Sequence, residues 1–265
     1  MFGWLRKRRH KQVLARAFPA GWDRIIDDNV ALARGLEPAR RRRLDERVQT
    51  FIADTSWEGC GGLELTEEMQ VTIAAQACLL TLDRDDDDQA ELFRDVTSIL
   101  VYPSTVITPT RPLAFFEQPR TPVGHGRTVI GEAMLGGPVV LAWDAVVAGG
   151  RGETGGNVVM HELAHKLDMA TGRVDGSPPL ANRAERGRWA RVCSEAYRRH
   201  RGNVDAGWPT LMDPYGATNE GEFFAVATET YFTRPADLAY EHPDLFALLA
   251  DFYRGTPAGA LTWAI

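Results

Sequence analysis

The stretch Asn157-Val-Val-Met-His-Glu-Leu-Ala-His-Lys-Leu-Asp168 decides how this chain of 265 residues is interpreted. Its apolar residues recur with the period of an α-helix, which places Val159, Leu163 and Leu167 on one face. Asn157 follows two glycines and is a favourable residue for capping a helix N-terminus. We therefore expect a helix whose apolar face packs in the core and whose opposite face carries polar side chains.

The polar face contains the pattern His-Glu-x-x-His, formed by His161, Glu162 and His165. Residues four apart lie on one side of a helix, so both imidazoles can bind one metal ion. Glu162 lies close enough to take a proton from a water molecule on that metal. The pattern is typical of a hydrolytic zinc site, although it arises by chance in about one chain in a hundred of this length. The alternative is an ordinary helix with two surface histidines.

A catalytic zinc site needs a third protein ligand besides two histidines. The segment Asn219 to Phe232 predicts a second amphipathic helix, on which Glu222 and Glu229 share a face with the small residue Ala225. Because buried carboxylates need a partner, we expect Glu222 to be the third ligand and Glu229 to support a ligand from behind. The alternative for Glu222 is a charge that stabilises the helix N-terminus. The other candidates are Asp168, His200, Glu220 and His242.

Two of these other candidates have more specific interpretations. Asp168 follows His165 by three residues, so it either orients a ligand imidazole or is a solvated helix charge. His200 lies in a basic helix, and we interpret it as a surface charge.

Four segments of the chain resemble the Mlc titration factor A family. They are residues 137–144, 157–168, 175–180 and Asp213-Pro-Tyr-Gly-Ala-Thr-Asn-Glu-Gly-Glu-Phe-Phe-Ala225. The resemblance implies a bacterial cytoplasmic zinc metallopeptidase of the gluzincin kind, with a core similar to the catalytic domain of lethal-factor-type proteases.

The resemblance also implies roles for individual residues. His161, His165 and Glu222 would bind Zn²⁺, and Glu162 would be the general base. Tyr215 would line the site and donate a hydrogen bond to the oxyanion of the reaction. The family further implies binding of a transcriptional repressor. Two functions therefore remain open: a zinc-dependent peptidase acting on a peptide or protein substrate, and a non-catalytic regulatory binding protein that retains a zinc site.

The segment Gly150-Arg-Gly-Glu-Thr-Gly155 matches the glycine pattern of dinucleotide-binding loops. Such a site also needs a second parallel strand after the helix, where this sequence has a loop rich in glycine and proline. We therefore predict a flexible connection that borders the cleft.

Composition argues against nucleic-acid binding, because the net charge is −6. Residues 1–50 carry a balance of +7 and the rest −13. We interpret the basic clusters 6–9 and 40–43 as solvated helix faces, and the alternative is contact with nucleic acid or an acidic partner. The three cysteines show no paired spacing, which favours a reducing compartment. The sequence contains neither a membrane-spanning apolar run nor a signal peptide, and we expect a cytoplasmic protein.

The organisation of the chain predicts an α+β fold. We expect one zincin-like metallopeptidase domain over residues 1–265, with a helical N-terminal portion over 12–98 and a catalytic core over 99–255 that has a small sheet and two metal-binding helices. Expected helices cover 22–33, 40–53, 66–80, 157–170, 181–201, 219–233 and 243–254. Expected strands cover 99–102, 128–130 and 138–143, and the last is a candidate for holding an extended substrate.

Overall fold

The computed structural model describes residues 2–104 and 137–257. The helices are α1 (Phe2–Leu14), α2 (Trp22–Asn29), α3 (Pro38–Asp54), α4 (Glu67–Leu79), α5 (Asp86–Leu92), α6 (Trp143–Arg151), α7 (Val158–Met169), α8 (Arg183–Asp205), α9 (Glu220–Thr233), α10 (Pro235–Glu241) and α11 (Pro243–Tyr253). The strands are β1 (Ser56–Gly59), β2 (Ser98–Tyr102) and β3 (Val139–Ala142). Among these helices, every one is too short or too polar to cross a bilayer.

All seven helices expected from the sequence are present, with their ends shifted by a few residues. Helices α1, α5, α6 and α10 and strand β1 have no counterpart among the predicted elements. The third predicted strand ends at Ala142 instead of Trp143, because the chain turns directly into α6. The strand predicted over 128–130 lies outside the described residues.

The three strands form one parallel sheet in the order β1-β2-β3. Trp57 of β1 lies opposite Ile99 of β2, which lies opposite Val139 of β3. Parallel neighbours require a long crossover, and α4 and α5 lie on the crossover between β1 and β2. The described residues therefore form a mixed fold, rich in helix, around a small parallel sheet.

Helix α7 packs against α4, α6, α9 and β3. Its predicted apolar face is confirmed, because Val159, Leu163 and Leu167 are all fully buried. These side chains belong to one hydrophobic cluster that extends from Trp22 in α2 to Tyr253 in α11. The N-terminal helices and the helices that carry the two histidines and Glu222 therefore share a core.

The arginine run 40–43 lies in α3, and the side chains of Arg40, Arg41 and Arg43 donate hydrogen bonds to other residues of the chain. Arg40 Nε donates to Asp83 Oδ1 at 3.0 Å, and Arg41 Nε donates to Asp45 Oδ1 at 3.1 Å. Arg43 donates to the carbonyl oxygen of Arg84. The predicted solvated face is wrong for these three residues, because acceptors from α3 itself and from the turn after α4 come within reach of it.

Gly150 is tightly packed, so the predicted flexible connection is wrong at this residue, whereas Gly152 and Gly155 are exposed. A Cβ atom on Gly150, in α6, would lie 2.5 Å from the carbonyl oxygen of Asn29 and 2.8 Å from Gln76 Nε2. Gly152 ends α6 with a φ of 75°, in the left-handed region that favours glycine. The described chain after α7 folds into helices, so it lacks the second parallel strand that a dinucleotide site needs.

We expect Gly150→Ala to lower the free energy of unfolding by about 1–3 kcal/mol, because the new methyl group meets backbone that cannot move aside cheaply. The matched control is Gly187→Ala in α8, where a Cβ atom meets nothing within 4 Å. This control should raise the free energy of unfolding by roughly 0.5–1 kcal/mol, since alanine is the better helix former. Urea unfolding followed by circular dichroism measures both, and equal stability of the two variants would contradict the close approach of α6 to α2.

Candidate metal centre

Helix α7 is fixed at its N-terminus by the residue that the sequence singled out as a cap. Asn157 Oδ1 accepts a hydrogen bond from the backbone N–H of Met160 at 3.0 Å. His161 and His165 follow this cap within α7. They lie one helical turn from each other, and both rings are buried. The imidazoles therefore enter the protein from one face of a helix that is anchored at its start.

Helix α9 brings the carboxylate of Glu222 to these rings. Asn219 caps α9 by accepting from the backbone N–H of Glu222 at 2.9 Å, which places Glu222 in the first turn. Further along, Ala225 is fully buried. Its small side chain favours close packing of α9 against α7.

The three side chains converge on one point. His161 Nε2 lies 3.2 Å from His165 Nε2. Glu222 Oε2 lies 3.0 Å from His161 Nε2 and 3.3 Å from His165 Nε2. In a tetrahedral zinc site with bonds of about 2.0–2.1 Å, neighbouring ligand atoms lie roughly 3.3 Å apart. The donor set and its spacing therefore fit a zinc ion, and the structure brings together the three residues expected to hold it.

The electrostatics of this cluster favour a positive charge. Burial lowers the pKa of His161, but hydrogen bonds to Glu222 and Glu229 outweigh it and raise the pKa to about 10. Burial raises the pKa of Glu222, but hydrogen bonds to the two imidazoles outweigh it and lower the pKa to about 2. The carboxylates therefore favour a positive charge at this point. A metal cation between the two rings and the carboxylate of Glu222 would supply that charge in place of a protonated imidazole.

Glu229 lies behind His161, as expected for a supporting residue. Its Oε1 accepts from His161 Nδ1–H at 2.7 Å, and its other oxygen accepts from the backbone N–H of Asn157. Because the Nδ1 proton is directed to Glu229, the lone pair of a neutral His161 is on Nε2, which faces Glu222 and His165. Glu229 thereby selects the tautomer that can bind a metal.

Glu162 lies beside the cluster and is partly exposed. Burial raises the pKa of its carboxyl group. The two imidazoles lower this pKa, and the negative charges on Glu222 and Glu229 raise it, so that the net shift is upward. A raised pKa makes a carboxylate a stronger proton acceptor near neutral pH.

Tyr215 reaches the cluster from the short 3₁₀ turn Pro214–Ala217. Its hydroxyl donates to Glu222 Oε1 at 3.3 Å, and its ring centroid lies 6.1 Å from that of His161. The structure thus places Tyr215 against the candidate ligands Glu222 and His161.

The turn that carries Tyr215 is held by α8, in a way that the sequence analysis missed. His200 Nε2–H donates to the carbonyl oxygen of Asp213 at 3.1 Å, and the Tyr197 hydroxyl donates to that of Ala217 at 3.2 Å. His200 is buried, so its interpretation as a surface charge is wrong. The one signal in the sequence is that the two residues are three apart, which places them on the same helix face.

Asp168 is fully buried and binds a loop rather than an imidazole. Its two oxygens accept from the backbone N–H groups of Gly176 at 2.9 Å and of Ser177 at 2.7 Å. Gly176 adopts a φ of 70°, and a Cβ atom there would lie 2.5 Å from the carbonyl oxygen of Glu220. Neither interpretation drawn from the sequence describes this carboxylate, because the segment 175–180 folds back over α7 and supplies its donors.

Comparison with known proteins agrees with this geometry. The model of the family described as glucose-regulated metallo-peptidase M90 matches residues 4–254. "Uncharacterized protein slr2042" of Synechocystis is 34% identical over 92% of this chain and 87% of its own length. Mlc titration factor A of Serratia proteamaculans is 31% identical over 88% of this chain and 86% of its own length. That of Cronobacter sakazakii is 27% identical over 97% and 93%. These relatives confirm the resemblance that the sequence segments indicated.

We expect Glu229→Gln to weaken zinc binding by about 10–100-fold, the usual effect of losing a partner of a ligand histidine. The amide removes the negative charge behind His161 and no longer dictates which ring nitrogen carries the proton. Competition with a chromogenic chelator measures the Kd for zinc. The matched control is Glu220→Gln, an exposed carboxylate of the same helix, which should leave the Kd unchanged. Equal affinities of the Glu229→Gln variant and the wild type would contradict the role given to Glu229.

Proposed function

The chain belongs to the glucose-regulated metallo-peptidase M90 family, and from that premise we propose that it is a zinc-dependent peptidase with a zincin-like core of the gluzincin type. It would hydrolyse peptide bonds in a peptide or protein substrate. The observation that carries the proposal is the convergence of His161, His165 and Glu222, with Glu162 next to the first of them. Two histidines and a carboxylate are the ligand set of hydrolytic zinc sites that keep one position open for water.

Each residue of the cluster has a task in this reaction. His161, His165 and Glu222 would hold Zn²⁺, which when bound supplies a Lewis acid and lowers the pKa of a water molecule towards neutrality. Glu162 accepts a proton from the attacking water and passes it to the leaving amine. The raised pKa of Glu162 suits both halves of this transfer, because the group must release the proton that it has accepted.

Tyr215 is placed to stabilise the negative charge that develops on the carbonyl oxygen. Its hydroxyl donates to Glu222 in the structure, and its aromatic ring lies 6.1 Å, centroid to centroid, from the ring of His161. A small rotation of the side chain would redirect this donor to an oxyanion beside the ligands. The clamp of Tyr197 and His200 on the turn restricts the backbone that carries it.

A second function rests on the name of the relatives, Mlc titration factor A. In this alternative, implied by the family resemblance, the chain would act by binding a transcriptional repressor, with the zinc site retained as a structural element. Glu162 favours the peptidase, because a structural site has no use for a base beside its ligands and usually contains thiolates. The two activities do not exclude each other. We place both in the cytoplasm, consistent with the three free cysteines.

We expect Glu162→Gln to keep about one zinc ion per chain and to lower peptide hydrolysis by about 10²–10⁴-fold, the usual contribution of a general base. Metal content by atomic absorption and turnover of a fluorogenic peptide library measure the two properties. Glu153→Gln, at an exposed carboxylate before the cap of α7, serves as the control and should leave both unchanged. Retained hydrolysis in Glu162→Gln would contradict the role of Glu162 as the general base. A wild-type chain that binds no zinc would contradict the proposed zinc site.

We expect Tyr215→Phe to lower kcat by roughly 10²–10³-fold, the loss that follows removal of one oxyanion donor. The aromatic ring remains, so its packing beside His161 is kept. Steady-state kinetics on the best peptide of the library measure the effect. The control is Tyr240→Phe, since Tyr240 is 89% exposed on α10. An unchanged kcat in Tyr215→Phe would reduce Tyr215 to a packing residue.

A further inference from the structure

A continuous chain of buried hydrogen bonds connects α4, in the N-terminal helical part, with the metal centre. Its members are Gln76, Asn157, Glu229 and His161, whose exposed fractions are 0%, 1%, 3% and 6%. Buried polar side chains are costly unless they are hydrogen-bonded, and each of these four has its partners within the chain. The sequence alone indicates no function for Gln76, and none for Asn157 beyond capping α7.

The side-chain amide of Gln76 has one orientation that satisfies its surroundings. Its Nε2 donates to the carbonyl oxygens of Thr72 at 3.2 Å and Val146 at 3.3 Å. Carbonyl oxygens only accept, so the amide oxygen must point the other way. There Gln76 Oε1 accepts from Asn157 Nδ2 at 2.8 Å. Gly150 makes room for this amide, because a Cβ atom there would lie 2.8 Å from Gln76 Nε2.

Asn157 is fixed in the same manner. Its Oδ1 is occupied by the backbone N–H of Met160, so its NH₂ group must face Gln76. Its own backbone N–H donates to the carboxylate of Glu229. Gln76 therefore sets the rotation of the Asn157 side chain. The backbone N–H of Asn157 in turn donates to the carboxylate of Glu229, which orients His161.

We propose that Gln76 is a positioning residue for the metal centre, acting through Asn157 and Glu229 on the ring of His161. This inference rests on the proposed function, because it assumes that His161 binds zinc. Among the described residues, the side-chain hydrogen bonds of Gln76 go to Thr72, Val146 and Asn157, none of which is a candidate metal ligand. Gln76 holds the residue that supplies one of the two donors to Glu229, and the other donor is His161 itself.

A purely structural role for Gln76 makes a different prediction. The amide also ties α4 to α6 through the carbonyl oxygen of Val146. If this tie were its whole purpose, replacing Gln76 would lower the stability of the metal-free protein and leave zinc affinity unchanged. A positioning role requires that zinc affinity falls as well, since partners behind a ligand histidine tune its affinity.

The first test is Gln76→Met, which keeps the length of the side chain and removes both polar atoms. We expect its Kd for zinc to rise about tenfold, the lower end of the effect known for residues behind metal ligands. The control is Thr228→Val in α9, which removes the buried hydrogen bond of 2.8 Å between Thr228 Oγ1 and the Tyr253 hydroxyl. This control should lower stability and leave the Kd for zinc unchanged. An unchanged Kd in Gln76→Met would overturn the proposal.

The second test asks whether Gln76 acts through Asn157. Asn157→Ser retains a good helix cap but is too short to reach Gln76. We expect this variant alone to weaken zinc binding, and the double variant with Gln76→Met to bind zinc no more weakly than Asn157→Ser does. Additive losses would overturn the route through Asn157. If Gln76→Met does not fold, Asn157→Ser decides alone: weakened zinc binding supports the proposal and unchanged binding overturns it.

The inference and the proposed function fail in different ways. A wild-type chain that binds no zinc contradicts the proposed function and removes the basis of the inference. A wild-type chain that binds zinc, together with a Gln76→Met variant of equal affinity, overturns the inference and leaves the peptidase proposal standing. Both outcomes are read from zinc titrations of the intact chain, without any assay of hydrolysis.

Discussion

The approach of one carboxylate to two imidazoles is the constraint on which this structure depends. Glu222 on α9 must come within about 3 Å of His161 and His165 on α7, which requires two helices from distant parts of the chain to pack closely. Apolar burial along α7 and the small side chain of Ala225 make that packing possible. The cap residues at the start of both helices then determine where the ligands point.

Charged side chains in a protein core need hydrogen-bond or ion-pair partners, and the surrounding residues supply them. Glu229 carries a buried negative charge, and it is compensated by His161 and by the backbone N–H of Asn157. Asn157 in turn needs an acceptor, and α4 supplies it with Gln76. The N-terminal helices therefore do more than share a hydrophobic core with α7 and α9, since one of their polar side chains completes the network behind a candidate ligand.

The local elements of the site and the residues that meet at its centre were predictable, and the long-range partners around that centre were not. Helical periodicity and cap residues predicted α7 and α9, and the spacing of His161, His165, Glu222 and Glu229 indicated which residues meet. The sequence around Gln76 does not indicate its partner, because the same local pattern fits a glutamine that binds water and one that binds a distant asparagine. Asp168 was misread for a similar reason: its donors come from a loop that folds back over it.

The most direct test of the central claim is a crystal structure of the zinc-loaded protein with anomalous diffraction recorded on both sides of the zinc absorption edge. The account predicts one strong anomalous peak about 2.0–2.2 Å from His161 Nε2, His165 Nε2 and a carboxylate oxygen of Glu222. It also predicts that His161 Nδ1 remains bonded to Glu229. A peak elsewhere in the chain, or a zinc ion bound without Glu222, would contradict it.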